Sequence, residues 1–228
     1  MPSVKPNITI RRYQAFVKEV YGLSNDRFFS LWDMIANIER FSMRAMKGIR
    51  LQNTKKAQIN LLISTSWFMS LMNQLCIDLE NEVWKRFPYV CSWCASLPCS
   101  CKKNRSERRR KTTPNNKKRP KTLEGFQRMF AEIYPPEVRT LEHAGIHLAE
   151  ELGELSEALL TYRGNHKTTN FKKIPPEAAD AFSCFMGVFN SLGVSYAKEI
   201  STMFSHNCHI CKKAPCECSF EYIVGFKS

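Results

Sequence analysis

The sequence predicts an all-α protein made of two tandem helical bundles, each followed by a small four-cysteine zinc-binding segment. Three observations carry this. Apolar residues recur at three- and four-residue spacing with few β-branched alternations. The motif C-x2-C-x4-C-x-C occurs twice, as Cys91, Cys94, Cys99 and Cys101 and again as Cys208, Cys211, Cys216 and Cys218. The segments upstream of each motif also match one another.

The match defines an internal duplication. YQAFVKEVY, from Tyr13 to Tyr21, parallels FQRMFAEIY, from Phe126 to Tyr134. FMSLMNQLCIDLENEVWKRF, ending at Phe87, parallels FMGVFNSLGVSYAKEISTMF, ending at Phe204, each ending four residues before its first cysteine. The expected organisation is a first half over 1–101, a linker over 102–121 and a second half over 122–228. In the second half, helices are expected near 122–134, 137–162, 176–190 and 194–205, with Pro175 and Pro176 suiting the first turn of the third.

The linker holds most of the charge. Residues 102–121 carry eleven Lys or Arg against the single Glu107, ten of the thirteen net positive charges of the 228-residue chain. With Pro114, Pro120 and almost no apolar residue, the stretch reads as a solvated connection, as a nuclear-targeting signal, or as a salt-sensitive, weakly selective nucleic-acid contact. No apolar run approaches the roughly 18 residues of a membrane span, and the N-terminus lacks an apolar secretion segment. The chain is therefore expected to be intracellular, cytoplasmic or nuclear, and away from membranes. In that setting, eight of ten cysteines in two tight clusters favour bound metal over disulfides. Four thiolates per cluster satisfy structural zinc and leave no open position for catalysis; an iron–sulfur centre is the alternative. Cys76 and Cys184 fall in apolar stretches and are expected to be buried thiols.

Acidic residues mark the candidate active site. HLAEELGELSEALL places Glu150, Glu151, Glu154 and Glu157 on one helix, and PPEAADAF supplies Glu177 and Asp180 at the start of the next. Spacings of three and four residues bring such side chains onto one face. Two pairs on facing helices would form a four-carboxylate cage of Glu151, Glu154, Glu177 and Asp180, whose mutual repulsion a cation would relieve. Hard oxygen ligands select magnesium or manganese. An exposed acidic helix, and an acidic first turn serving the helix dipole, are the structural alternatives.

This E-x-x-E…E-x-x-D arrangement, with Gly153 and the N-S-L-G-V turn from Asn190 to Val194, resembles the MazG-like all-α nucleoside triphosphate pyrophosphohydrolases over about 80 residues of the second half. The resemblance implies hydrolysis of a nucleoside or deoxynucleoside triphosphate to monophosphate and pyrophosphate. It assigns metal ligation to Glu151, Glu154, Glu177 and Asp180, with Glu150 assisting or positioning water. It also implies a dimer or higher assembly. Arg163, Lys167, Lys172 and Lys173 are candidates to hold the outgoing pyrophosphate, against the alternative of a solvated basic loop. Phe126, Phe130 and Tyr134 would either stack a base or fill the core, and His143 with His147 forms a minor metal-binding candidate.

Aligned through the cysteines, the first half has Asn60 and Ile63 where the second has Glu177 and Asp180; aligning Ser42 with Ser156 puts Asn37 and Arg40 where it has Glu151 and Glu154. The first half is thus read as a degenerate copy, with Lys47, Arg50, Lys55 and Lys56 as candidates to reach substrate phosphates. The family pattern does not require the cysteine tails. The rival reading is a zinc-containing nucleic-acid-binding or assembly protein without catalysis.

Overall fold

The computed structural model describes residues 2–103 and 105–227. Among them every regular element is helical, and ten α-helices follow in order: α1 (Ile10–Phe28), α2 (Leu31–Arg50), α3 (Thr54–Gln74), α4 (Leu79–Arg86), α5 (Leu123–Ile133), α6 (Leu141–Gly164), α7 (Thr168–Phe171), α8 (Ile174–Leu192), α9 (Tyr196–Met203) and α10 (Phe220–Gly225). No helix among the described residues is long and apolar enough to cross a membrane.

The chain forms two compact units, and they do not coincide with the two halves of the sequence. Unit 1 comprises 1–78 and 196–228; unit 2 comprises 79–195. The boundaries, after Asp78 and after Ser195, fall at equivalent positions of the repeat. Each unit therefore takes three long helices from one half, and its short fourth helix and cysteine segment from the other. The expected division at a central linker is corrected accordingly: 102–121 belongs to unit 2.

In unit 1, α1 and α2 pack on α3, whose buried face includes Leu61, Phe68 and Met72, and α9 also packs on α3. The N-termini are locally specified. Thr9 caps α1 by accepting from Arg12 N–H, and Ser30 and Asp33 form a capping box on α2. In unit 2, α8 is the central element. Prolines occupy its first turn, Gly193 ends it in the left-handed region at φ 70°, and its body from Ala178 to Phe189 is almost wholly buried. Against it pack α6, through Leu148, Leu152, Leu155 and Leu159, and α4 and α5.

The matching segments make matching bonds. Gln14 Nε2 donates to Ile77 O at 2.7 Å, and Gln127 Nε2 to Val194 O at 2.8 Å. Asn73 donates back to Gln14 O at 2.9 Å, and Asn190 to Gln127 O at 3.1 Å. Cys216 N–H bonds Val20 O at 2.7 Å, while Cys99 N–H bonds Ile133 O at 2.8 Å. Tyr21 meets Phe204 edge-on at 6.5 Å, and Tyr134 meets Phe87 in the same way at 6.3 Å. The last two pairs of contacts join an α1 or α5 helix to a segment of the opposite half.

Cys76 is exposed rather than buried. It follows the end of α3 at φ 54°, the left-handed region that Gly193 adopts after α8, and in each case the next residue closes a six-residue loop: Ile77 N–H to Met72 O and Val194 N–H to Phe189 O. A side chain in this region costs about 1–2 kcal/mol. Cys76→Gly is expected to stabilise unit 1 by about 0.5–1 kcal/mol. Thermal unfolding of the zinc-loaded chain checks this, and an unchanged or lower midpoint counts against it. Cys184 is part-buried, and burial pushes its thiol up to about 12.

Candidate metal centres and acidic site

Both cysteine clusters converge. Ligand atoms of Cys91, Cys94, Cys99 and Cys101 lie within 4.8 Å of one another, as do those of Cys208, Cys211, Cys216 and Cys218. Sulfur pairs stand 3.8 and 4.0 Å apart in the first cluster and 3.9 and 3.9 Å in the second. A tetrahedron with Zn–S bonds of about 2.3 Å has edges of about 3.8 Å, so both sets fit one four-coordinate ion. Backbone N–H groups support the sulfurs: Trp93 to Cys91, Ser100 to Cys94 and Cys101 to Cys99, repeated as Ile210 to Cys208, Glu217 to Cys211 and Cys218 to Cys216. Such donors stabilise thiolate, the form that binds metal.

The acidic centre of unit 2 arises because two helices with different demands meet. The leucine stripe of α6 fixes its rotation, which turns Glu151 towards α8. Asp180 lies in the buried body of α8 and Glu177 one turn earlier. Ligand oxygens of Glu151, Glu177 and Asp180 lie within 4.8 Å of one another. Glu151 Oε2 is buried and has no hydrogen-bond partner among the described residues. Burial first, then the charges of Asp180, Glu154 and Glu177, push the Glu151 carboxyl up to about 7, against the pull of Arg86. Burial and Asp180 also raise Glu177. Three carboxylates under mutual strain, one with an unmet lone pair, have the donor chemistry of a magnesium or manganese site completed by water.

Glu154 stands outside this trio on the exposed face of α6, near enough for its charge to raise Glu151 and Glu177. Glu150 points to solvent and pairs with His147 Nδ1 at 3.0 Å. His147 stacks edge-on with His143 at 4.6 Å, and neither joins a convergent metal set. Arg163, Lys167, Lys172 and Lys173 are all exposed. Arg163 lies twelve residues beyond Glu151, about 18 Å along α6, while Lys173 precedes α8 one turn from Glu177. Phe126 and Phe130 are 0% and 1% exposed, and the Tyr134 hydroxyl donates to Cys91 Sγ at 3.5 Å. Phe126 and Phe130 are core, which excludes base stacking on them, while Tyr134 is part-buried.

Two cations at the site escape sequence reasoning. Arg86, in the last turn of α4, donates from Nε to Asp180 Oδ1 at 2.9 Å and Oδ2 at 3.1 Å, and from Nη2 to Oδ2. Burial alone would lower its pKa, but the hydrogen bonds and charge of Asp180, with Glu177 and Glu151, outweigh it and raise the value. Arg109 Nη2 stands 3.9 Å from Asp180 Oδ2, and its guanidinium lies over the Trp93 ring, 5.4 Å from the centroid.

The basic segment is accordingly not free in solvent. Arg110 N–H bonds Trp93 O at 2.9 Å and Trp93 Nε1 bonds Ser106 O at 2.8 Å. Trp84 Nε1 donates to Asn116 Oδ1 at 2.8 Å, and Arg119 pairs with Glu80 at 3.1 Å. The cysteine segment and α4 thus strap 105–119 along unit 2. Lys102, Lys103, Arg108, Arg110, Lys111, Lys117 and Lys118 remain exposed. In unit 1, the equivalents of Glu177 and Asp180 are Asn60 and Ile63, both buried, and Met203 stands where Arg86 stands in unit 2. Lys47, Arg50, Lys55 and Lys56 are exposed on that unit. Compared with known proteins, the chain matches no family model, no curated protein and no solved structure.

Proposed function

We propose that the acidic centre of unit 2 binds magnesium or manganese and hydrolyses a nucleoside or deoxynucleoside triphosphate to the monophosphate and pyrophosphate, as the resemblance to MazG-like pyrophosphohydrolases implies. The observation that carries this reading is the convergence of Glu151, Glu177 and Asp180 around a buried, unpartnered carboxylate oxygen. An acidic helix face serving only solubility would keep its carboxylates apart and wet.

When bound, the metal would neutralise the polyphosphate and lower the pKa of an attacking water. Glu151, Glu177 and Asp180 hold it; the leucines of α6 and the apolar body of α8 keep bulk water from their inner side. Glu154, beside the trio and open to solvent, is placed to accept a proton from that water. Unit 1, with Asn60, Ile63 and Met203 at the corresponding positions, is the degenerate copy. The two cysteine sites have no open coordination position and serve structure.

The test is pyrophosphate release from a panel of ribo-, deoxyribo- and modified nucleoside triphosphates, with magnesium or manganese and zinc-loaded protein. Glu151→Gln and Glu177→Gln are each expected to lower the rate about a thousandfold while zinc content is unchanged. A folded, zinc-loaded chain that cleaves no nucleotide sinks the reading. The exposed lysines and arginines of 102–119 favour nucleic-acid binding as the second one, recognised by affinity that falls steeply with salt.

A further inference from the structure

Arg86 occupies the lone pairs that a cation would use. Its guanidinium engages both oxygens of Asp180, and the two side chains are only 18% and 12% exposed. Glu177 and Glu151 stand next to the same guanidinium, so one arginine, helped by Arg109, offsets three carboxylates. The pairing is incomplete: Glu151 Oε2 is left without a partner. A divalent ion bound by all three acids competes with Arg86 for the oxygens of Asp180, both of which the guanidinium engages.

We propose that Arg86 is a displaceable counter-ion, which holds Asp180 when no divalent cation is bound, yields it to the cation, and then grips a phosphate of the polyphosphate substrate together with Arg109. This rests on the pyrophosphohydrolase reading for its substrate, though not for the exchange itself. Arginine suits both states, since its planar fork matches carboxylate and phosphate alike in bidentate fashion. Its backbone is anchored by the neighbouring Phe87, 1% exposed and edge-on to Phe130 at 5.1 Å, so the exchange is a movement of the side chain alone. Arg109 is already aimed at the same point by its stacking on Trp93. The arrangement also explains why a chain whose first half lacks the acid cage retains that half's Arg86: through α4, it completes the charge balance of the other half's acids.

The experiment measures Mn2+ binding to the zinc-loaded full chain by electron paramagnetic resonance of the free ion, without nucleotide, and then binding of a non-hydrolysable nucleoside triphosphate analogue at saturating Mn2+. Arg86→Gln is expected to tighten Mn2+ about tenfold, equivalent to about 1.4 kcal/mol, and to weaken the analogue at least about tenfold. Arg86→Lys, a milder change should the first variant fold poorly, keeps the charge but loses the fork. It is expected to shift both affinities in the same directions by smaller factors. Asp180→Asn should abolish the gain in Mn2+ affinity. Unchanged or weaker Mn2+ binding in both Arg86 variants overturns the exchange, and unchanged analogue affinity overturns the phosphate role. If Mn2+ tightens as expected while the wild-type chain hydrolyses no nucleotide, the exchange stands and the pyrophosphohydrolase reading is what fails.

Discussion

Removing the zinc from the cysteine clusters is expected to unfold the chain, with each cluster's loss falling on the unit built mainly from the other half of the sequence. Structural zinc contributes about 10–16 kcal/mol to folding in isolated finger peptides, as much as the entire stability of an ordinary domain, about 5–15 kcal/mol. Here the first cluster does more than close its own loop. Cys99 N–H caps Ile133 O at the end of α5, the Tyr134 hydroxyl donates to Cys91 Sγ, and Trp93 between the ligands holds Ser106 and Arg110 of the basic segment. Without the ion, four sulfurs within 4.8 Å of one another lose the charge that holds them together, and α5 loses its terminal partner.

The corresponding contact of the second cluster is Cys216 N–H with Val20 O on α1. Cys99→Ser should therefore speed hydrogen exchange in α5 and α8, and Cys216→Ser in α1 and α3. Metal analysis should find two zinc ions per chain, falling to one in each variant. If chelation leaves the unfolding midpoint unchanged, the clusters do not hold structural metal. If Cys99→Ser loosens α1 and α3 instead, the assignment of elements to the two units is wrong.

Local chemistry was readable in the sequence, and partner choice was not. The prolines that open α8, the turn at Gly193, the two cysteine motifs and the acid pairs are all encoded within a few residues, where spacing fixes which side chains share a face. The pattern LENEVWKR likewise announces a short helix with one apolar face, Leu79, Val83 and Trp84. Either repeat's bundle would accept that face, because the copies present nearly the same surface, and so the exchange of α4 and α9 between halves left no local trace. Arg86 and Arg109 were hidden for the same reason. In a stretch with eleven basic residues, composition cannot single out the one that stands 3.9 Å from Asp180. Of the four acids expected from spacing, Glu151, Glu177 and Asp180 converge, while Glu154 lies beside them on the exposed face of α6.

The buried ion pair gives the second large effect, and the chain itself contains the control. Asp180→Ile alone leaves the Arg86 guanidinium, 18% exposed, without its principal partner, a change that commonly costs 3–5 kcal/mol. About 3 kcal/mol is expected here, since Glu177 and Glu151 still face the cation. Arg86→Met alone strips the counter-charge from three acids and is expected to cost about the same. Unit 1 carries Ile63 and Met203 at these two positions, so the repeat already tolerates the apolar pair. Combining Arg86→Met with Asp180→Ile should therefore restore unit 2 to within about 1 kcal/mol of the wild type, giving a coupling energy of about 5 kcal/mol in a double-mutant cycle. The restored protein should keep its zinc but bind no Mn2+ at the acidic centre, because Asp180, one of the three converging acids, is gone. Additive destabilisation by the two substitutions would show that the pair is not an isolated exchange of charge for apolar packing. Recovery of stability without Mn2+ binding would separate what the ion pair does for the fold from what its acid is kept for.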